Sequence, residues 1–274
     1  MRAVLGIDAA WTLRQPSGVA LIAEAPTGWR LVSSASSYQR FLALGDKDLV
    51  PELRPAGSPP DVGAILKSAS AQCGQPVDLI AIDMPLAHHE IVSRRESDNA
   101  VSRAYGARGC GTHTPSASRP GRISDELKAS FAEAGYRLQT DNLATPGLIE
   151  VYPHPALVEL AAAPWRLPYK ARKIRSYWPT LTPPQRRERL YQQWREIVFL
   201  LDREIAGVEA ALARLDAAAN GLALKAYEDA LDAIVCAWVG VCALEGRATP
   251  LGNELSAIWV PLPNERATNA LERS

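Results

Sequence analysis

Four acidic side chains interrupt or close apolar segments of this sequence, and together they could bind a cation. They are Asp8, Asp83, Glu150 and Asp232. An ionised carboxylate is costly to remove from water unless it is paired, hydrogen-bonded or bound to a cation. Carboxylate oxygens are the ligands that hard divalent cations prefer. The four acids therefore predict one shared site for Mg²⁺ or Mn²⁺.

The segments around these acids predict an α/β fold. Three strands joined by short, turn-forming links open the chain at 3–8, 18–23 and 29–36, which favours an antiparallel meander. A helix from about 61 to 71 then leads to a strand at 77–83. A strand reached through a helix should lie parallel to an earlier strand.

The remaining elements complete a recognisable order. A helical insertion at about 84–147, with Ser124 as the N-cap of one helix, is followed by a strand at 148–152 and then by helices. This order is that of the ribonuclease H-like fold, with a mixed five-stranded sheet and C-terminal helices. Parallel neighbours bring their carboxyl ends to one edge, so Asp8 and Asp83 should lie side by side. We expect a single domain over 1–262 and a polar tail at 263–274.

The late helix predicted over 222–244 carries further acids. Asp229, Asp232 and Cys236 fall on one side of it at spacings of three and four residues. Small residues extend that side, so it should approach the sheet closely. Glu228 and Asp229 are expected to be solvated. The alternative for Asp229 is a share in metal binding.

The proposed chemistry is two-metal phosphodiester hydrolysis. Two cations about 3.5–4 Å apart activate the attacking water and stabilise the leaving oxygen. Asp8 would bridge both cations, with Asp83 and Glu150 on one side and Asp232 reaching in from the helix. Taken singly, Asp8 or Asp83 could equally be a turn or helix cap. It is the combination of all four acids in this fold order that favours a catalytic site.

Composition restricts the cellular setting and the partners. The 274 residues include 30 basic and 30 acidic side chains, so a polyanionic partner would have to be bound by a local patch. Four cysteines without a Cys-x-x-Cys pair suggest neither a zinc module nor a disulfide framework. The N-terminus has no signal-peptide core, and the longest apolar run, 233–244, is too short to span a bilayer. We expect a cytoplasmic protein without membrane contact.

Two segments are rich in cations. Residues 94–122 contain six arginines against two acids, and 166–195 contain nine Lys or Arg residues, one acid and interleaved aromatic rings. Such clusters supply phosphate contacts, and the rings can stack on unpaired bases. The 186–195 stretch is better explained as a solvated helix face. The predicted nucleic-acid contacts are Arg94, Arg95, Arg108, Arg119, Arg172, Lys173 and Arg175.

Histidines add two further candidates. His88 and His89 are adjacent, point in different directions and have no third ligand at a spacing that would complete a zinc site. His113 and His154 are lone histidines in loops. They are candidates for assisting a phosphate or a water molecule, with local hydrogen bonding as the alternative.

Six motifs in order along the chain resemble the family known as domain of unknown function 429 (DUF429), a family of predicted nucleases with the ribonuclease H fold. They are Gly-Ile-Asp-Ala-Ala-Trp at 6–11, Ser-Gly-Val-Ala at 17–20, Ile-Asp-Met-Pro-Leu at 82–86, Arg-Arg-x-x-Asp at 94–98, Ile-Glu-Val-Tyr-Pro-His-Pro at 149–155 and Tyr-Glu-Asp-Ala-Leu-Asp-Ala at 227–233. The resemblance implies this fold and a divalent-metal nuclease site at Asp8, Asp83, Glu150 and Asp232. The late-helix Asp-Ala is also similar to the corresponding helix of Holliday-junction resolvases.

Two alternatives compete with a nuclease. An actin-like or sugar-kinase-like phosphotransferase shares the strand order and an early Asp, but 8–11 lacks the glycine that such phosphate loops use. A nucleic-acid-binding protein without turnover is the other alternative. The four acids argue against it, because negative charge would be crowded where a phosphate must approach. The sequence leaves open DNA or RNA, endonuclease or exonuclease, and the oligomeric state.

Overall fold

The structure is a computed structural model that describes residues 1–46, 48–50, 52, 54–212, 215–216 and 219–263. Of the polar tail predicted at 263–274, residues 264–274 lie outside the described part. No helix within the described ranges is both long enough and apolar enough to cross a bilayer.

One mixed sheet runs through the molecule. Its strands are β1 (Ala3–Asp8), β2 (Gly18–Ala25), β3 (Gly28–Ala35), β4 (Leu79–Ile82), β5 (Arg137–Leu138), β6 (Gly147–Val151), β7 (Ile205–Ala206), β8 (Ala248–Asn253) and β9 (Ser256–Pro261). Their order across the sheet is β7-β3-β2-β1-β4-β6-β9-β8, with β5 paired to β6. The α/β class is confirmed, but the sheet has nine described strands where five were predicted.

The centre of the sheet agrees with the predicted pairing. β1 is antiparallel to β2 and parallel to β4, and β4 is parallel to β6. The additional strands lie outside this centre, as the short β7 beside β3 and the β8–β9 hairpin beyond β6. The two-residue strands β5 and β7 are too short to leave a period of alternating apolar residues in the sequence.

Helices occupy the connections between strands. They are α1 (Tyr38–Gly45), α2 (Val62–Cys73), α3 (Glu96–Tyr105), α4 (Arg122–Glu133), α5 (Pro153–Leu160), α6 (Ile174–Tyr177), α7 (Pro183–Glu204), α8 (Val208–Ala211) and α9 (Gly221–Leu244). Short 3₁₀ turns follow at Gly106–Arg108 and Ala171–Lys173. The predicted start of α7 after Thr182 is confirmed, since Gln185 Oε1 accepts from Thr182 N at 2.9 Å.

One predicted helix cap was wrong. Ser124 lies inside the first turn of α4, which begins at Arg122 after Gly121 with a positive φ of 61°. The Ser124 hydroxyl donates back to Gly121 O at 3.2 Å. It therefore satisfies a carbonyl of the preceding turn and caps no N–H group.

The helices cover both faces of the sheet. Val4 and Ala20 belong to a core shared with α5, α7 and α9, whereas Leu5 and Ile7 belong to a second core shared with α1, α2 and α4. This alternation is the two-residue period of a strand buried on both faces. Gly6 and Asp8 share the face of Val4, so the Asp8 carboxylate points toward the α9 side of the sheet.

Glycines allow α9 to lie against the strand backbones. A Cβ on Gly6 would lie 2.2 Å from Ala233 O, and one on Gly18 would lie 2.0 Å from Asp229 O. Gly18 is also the strand partner of Asp8. The predicted close approach of the late helix is confirmed, and it brings the Asp229 turn of α9 next to the end of β1.

Candidate acidic site at the central strand ends

Asp8 and Asp83 stand at the carboxyl ends of adjacent parallel strands. Ile7 and Ile82 are register partners, and Asp83 N donates to Ile7 O at 2.9 Å. Both acids are partly buried and line one cavity of about 510 Å³. Within the described residues, neither carboxylate accepts a hydrogen bond. Asp8 and Asp83 therefore lie side by side at one edge of the sheet, as predicted.

Burial makes both carboxylates difficult to ionise. Burial raises the pKa of Asp83 to about 7, with Lys170 opposing the rise and Asp232 adding to it. Burial and the nearby charges of Asp232 and Asp229 raise the pKa of Asp8 well above its usual value. Desolvation and like charges both favour the protonated form, so a cation at this edge would stabilise the ionised pair.

The acids of α9 are buried beside this pair. Glu228, Asp229 and Asp232 are 3%, 1% and 0% exposed. The expectation that Glu228 and Asp229 are solvated was therefore wrong. Close packing of α9 on the glycines of β1 and β2 carries this turn of the helix into the interior, which a charge pattern alone does not predict.

Two lysines compensate the charge of the α9 acids. Lys170 contacts Asp232, whose other oxygen accepts from Tyr169 Oη at 2.7 Å. Lys225 Nζ lies 2.9 Å from Glu228 and 2.5 Å from Asp229 Oδ1. Both oxygens of Asp232 therefore already have donors.

Asp229 retains one oxygen without a donor. Its Oδ2 atom is buried and has no hydrogen-bond partner among the described residues. Burial raises the pKa of Asp229 to about 6, although Lys225 opposes the rise. A buried oxygen without a donor is costly, so a cation or an ordered water molecule would stabilise it.

Glu150 belongs to a separate buried ion pair. Arg95 donates to both of its oxygens, at 2.5 and 2.8 Å, and Leu86 N donates to Oε2 at 2.7 Å. The same guanidinium donates to both oxygens of Asp98. The Arg-Arg-x-x-Asp motif thus supplies a buried bidentate clamp for Glu150, and its oxygens are already engaged.

Cations line the cavities beside the acids. The cavity at Asp8 adjoins a second one of about 380 Å³, and Asp83, His113, Arg119 and Lys170 line both. The second cavity is also lined by Arg166, Arg172, Lys173 and His154. Negative and positive side chains therefore face the same space.

The predicted basic contacts divide into two groups. Arg119, Arg172 and Lys173 line these cavities. Arg95 also lines the second cavity, but its guanidinium is engaged by Glu150 and Asp98. The others lie elsewhere: Arg94 donates to Asn99 and Ser102, Arg108 pairs with Glu159 at 2.6 Å, and Arg175 is exposed outside both linings. The arginines of 94–108 are therefore engaged within the protein, and the cavity cations come mainly from 113–119 and 166–173.

Several residues of the site were not anticipated as site residues. Lys170 and Tyr169 contact Asp232 from more than sixty positions away in sequence, so no local pattern signals them. Lys225 was detectable, because Lys225 and Asp229 have the i, i+4 spacing of a helical ion pair. Arg166 lies in the predicted basic segment but was not singled out.

The described carboxylates fit a divalent cation only in part. In the described ranges, no three His, Cys, Asp or Glu side chains are arranged to hold one metal ion together. Mg²⁺, however, keeps several waters and is usually held by one or two carboxylates together with substrate phosphates. Asp8 and Asp83 supply such a pair of unengaged carboxylates. The fit is to a cation shared with substrate, rather than to a cage formed by four acids.

The family assignment follows from a sequence comparison. The model of the family described as "Protein of unknown function (DUF429)" matches residues 6–256. The match covers most of the chain, including every acid of the site, and the chain belongs to this family. No curated protein and no solved structure matches it.

Proposed function

We propose that this DUF429 protein is a divalent-metal-dependent nuclease that hydrolyses phosphodiester bonds, with Mg²⁺ or Mn²⁺ held by Asp8 and Asp83. The observation that carries the proposal is the pair of neighbouring carboxylates that accept no hydrogen bond from a described residue, in a cavity whose other wall is cationic. Acids with raised pKa values in a cleft are characteristic of functional sites. A cation and a phosphate would together neutralise both walls.

The roles of the acids follow from their contacts. Asp8 and Asp83 face the cavity and would hold the cation. The Oδ2 atom of Asp229, which has no partner among the described residues, is a further donor on the turn of α9 that packs against Gly18 of β2. Asp232 and Glu228 hold Lys170 and Lys225 in place. When bound, the cation would lower the pKa of a water molecule and polarise a phosphoryl oxygen.

Glu150 has a positioning role in this proposal. Its oxygens accept from Arg95 and Leu86 N, so the clamp fixes the loop that follows Asp83. The earlier assignment of Glu150 as a metal ligand would require that Arg95 release it. Breaking such a buried pair costs about 3–5 kcal/mol, so we assign the cation to the two unengaged acids.

The strand order supports an interpretation as a ribonuclease H-like fold. The central order is β3-β2-β1-β4-β6, with β4 parallel to β6, and it contains the opening meander and the parallel neighbours β1 and β4 that the sequence elements predict. The remaining strands would be additions at the two sides of this centre. In that fold, Asp8 and Asp83 would lie at the adjacent ends of the first and fourth strands, where the proposed cation binds.

Nucleic acid is the proposed partner, and the cytoplasm the proposed location. Arg119, Arg172 and Lys173 line the cavities and supply positive charge for phosphates. All four cysteines are free, in keeping with a reducing compartment.

One observation favours a second candidate, a nucleic-acid-binding protein without turnover. Lys170 and Lys225 already compensate much of the acidic charge, and no described set of three ligands surrounds a metal position. In such a protein the lysines would be permanent partners of the acids. The two candidates differ in whether the site responds to a divalent cation.

Cleavage assays distinguish them. Labelled single-stranded, double-stranded and branched DNA and RNA would be incubated with Mg²⁺ or Mn²⁺ and the wild-type protein, Asp8→Asn or Asp141→Asn. Asp141 is an exposed acid outside the cavities, so Asp141→Asn is the matched control. We expect cleavage by wild type and Asp141→Asn, and a loss of at least about 100-fold in Asp8→Asn. Binding without cleavage of any substrate would favour the second candidate.

A further inference from the structure

A cluster of cations beside the acids has no described acid within ion-pair distance. Arg119, Arg166, Arg172 and Lys173 line the second cavity together with His113. None of these five side chains forms an ion pair with a described residue, unlike Lys170 and Lys225 in the same cavity. Surface cations usually need no partner, but four that line one cavity repel one another, and an anion bound between them would relieve that repulsion.

Buried donors in the same cavity also lack acceptors. Arg166 Nη2 lies 2.5 Å from His154 Nε2, so the neutral imidazole accepts there and carries its proton on Nδ1. His154 is 7% exposed, and its Nδ1 has no partner in the described structure. Arg166 Nε is likewise buried without an acceptor. Two buried N–H groups thus have no acceptor in the described part of the chain, although folded proteins normally provide one.

The electrostatics of the cluster favour the binding of an anion. Burial and the positive charges of Lys173, Arg166 and Arg119 lower the pKa of His113. Burial, and then Lys170, Arg166 and Lys173, lower the pKa of His154 well below its usual value. Each side chain would be stabilised in its protonated form by a negative charge at the centre of the cluster.

We infer that Arg166, Lys173, His113 and the Nδ1–H of His154 form a binding subsite for a phosphate group. The same cavity is lined by Asp83, so the bound group would be a phosphate of the substrate strand next to the linkage at the acids. That identification rests on the proposed function, whereas the affinity for phosphate does not. Arg166 is the principal ligand, because it has both an unpartnered Nε and a fixed position against His154.

Histidine NMR in metal-free buffer tests this inference. The chain has four histidines, so the two signals of interest can be assigned with His113→Gln and His154→Gln. Inorganic phosphate would be titrated into the wild-type protein with EDTA present, at constant ionic strength set with sodium chloride. We expect the pKa values of His113 and His154 to rise at saturation. An equal rise in chloride alone, or no rise with phosphate, would overturn the subsite.

Variants assign the effect to the cluster. We expect Arg166→Gln and Lys173→Gln to weaken phosphate binding at least about tenfold, or about 1.4 kcal/mol. Lys173 is exposed, so its replacement keeps the fold even if Arg166→Gln disturbs it. Arg189→Gln, on the exposed face of α7, should bind like wild type. Equal affinity in all four proteins would mean that phosphate binds elsewhere.

A third titration identifies the source of the phosphate and separates the two proposals. A tetrathymidylate that binds in EDTA more tightly than inorganic phosphate, and loses affinity in Arg166→Gln, would indicate a nucleic-acid strand. Phosphate binding without cleavage of any substrate would refute the proposed function and leave the subsite standing. Cleavage whose KM is unchanged in Arg166→Gln would refute the subsite and leave the proposed function standing.

Discussion

The Asp83→Asn substitution should stabilise the metal-free protein at pH 8. Asp83 is partly buried, its carboxylate accepts no hydrogen bond from a described residue, and its pKa is raised to about 7 mainly by burial. An amide of the same shape removes the charge and breaks no hydrogen bond with a described partner. The substitution should therefore relieve a cost that exists only when Asp83 is ionised.

The magnitude follows from linkage. One pKa unit corresponds to about 1.4 kcal/mol, so a carboxyl raised from 3.8 to about 7 costs the folded protein about 4 kcal/mol when ionised at pH 8. Because the pKa of Asp83 is higher in the folded than in the unfolded protein, the folded protein avoids this cost below pH 4, where Asp83 is protonated. The corresponding stability is lost as the pH rises through 7. Burial of the polar amide also costs free energy. We therefore expect the free energy of unfolding of Asp83→Asn to exceed that of wild type by about 1–4 kcal/mol at pH 8, and by little or nothing at pH 4.5.

Urea unfolding in EDTA at the two pH values provides the assay, with Asp141→Asn as the control for removal of an exposed acid. The midpoint should move upward at pH 8 without a change in slope. A loss of stability of the same size at both pH values would refute the reasoning. It would mean that the Asp83 carboxylate is held by interactions that favour its charged form.

Three further substitutions test other parts of the site. Arg95→Met leaves Glu150 buried without its partner and should cost about 3–5 kcal/mol at pH 8, and less at pH 5, in urea unfolding. Gly18→Ala would place a Cβ 2.0 Å from Asp229 O. It should lower both the urea midpoint and the increase of that midpoint on adding Mn²⁺. The control Gly74→Ala, whose Cβ would meet no atom within 4 Å, should lower the midpoint alone. Lys225→Met removes the cation beside Asp229 and should tighten Mn²⁺ binding severalfold, measured by calorimetry; weaker binding would contradict the repulsion argument.

The sequence was most informative where local pattern and topology act together. Apolar runs ending in Asp8 and Asp83, separated by a helix, were sufficient to predict parallel neighbouring strands with both acids at one edge. The start of α7 after Thr182 and the long α9 were also predicted, because capping residues and long apolar runs can be identified from neighbouring residues in the sequence.

What the sequence did not predict depends on long-range packing. The burial of Glu228 and Asp229 follows from the approach of α9 to Gly6 and Gly18, more than two hundred residues away. The partners of Asp232 come from the Tyr169 segment, which has no regular secondary structure there. Glu150 was recognised as a buried acid, but its engagement by Arg95 across 55 positions leaves no periodic signal.

Binding of a divalent cation by Asp8 and Asp83, as we propose, can be measured by a Mn²⁺ titration followed by electron paramagnetic resonance. Free Mn²⁺ would be measured with wild-type protein, Asp8→Asn, Asp83→Asn and the Asp141→Asn control, with and without a non-hydrolysable phosphorothioate oligonucleotide. We expect saturable binding by wild type and Asp141→Asn, strengthened by the oligonucleotide because its phosphate would complete the coordination, and strongly reduced binding by Asp8→Asn and Asp83→Asn. No saturable binding by wild type in either condition, or equal binding by all four proteins, would contradict it.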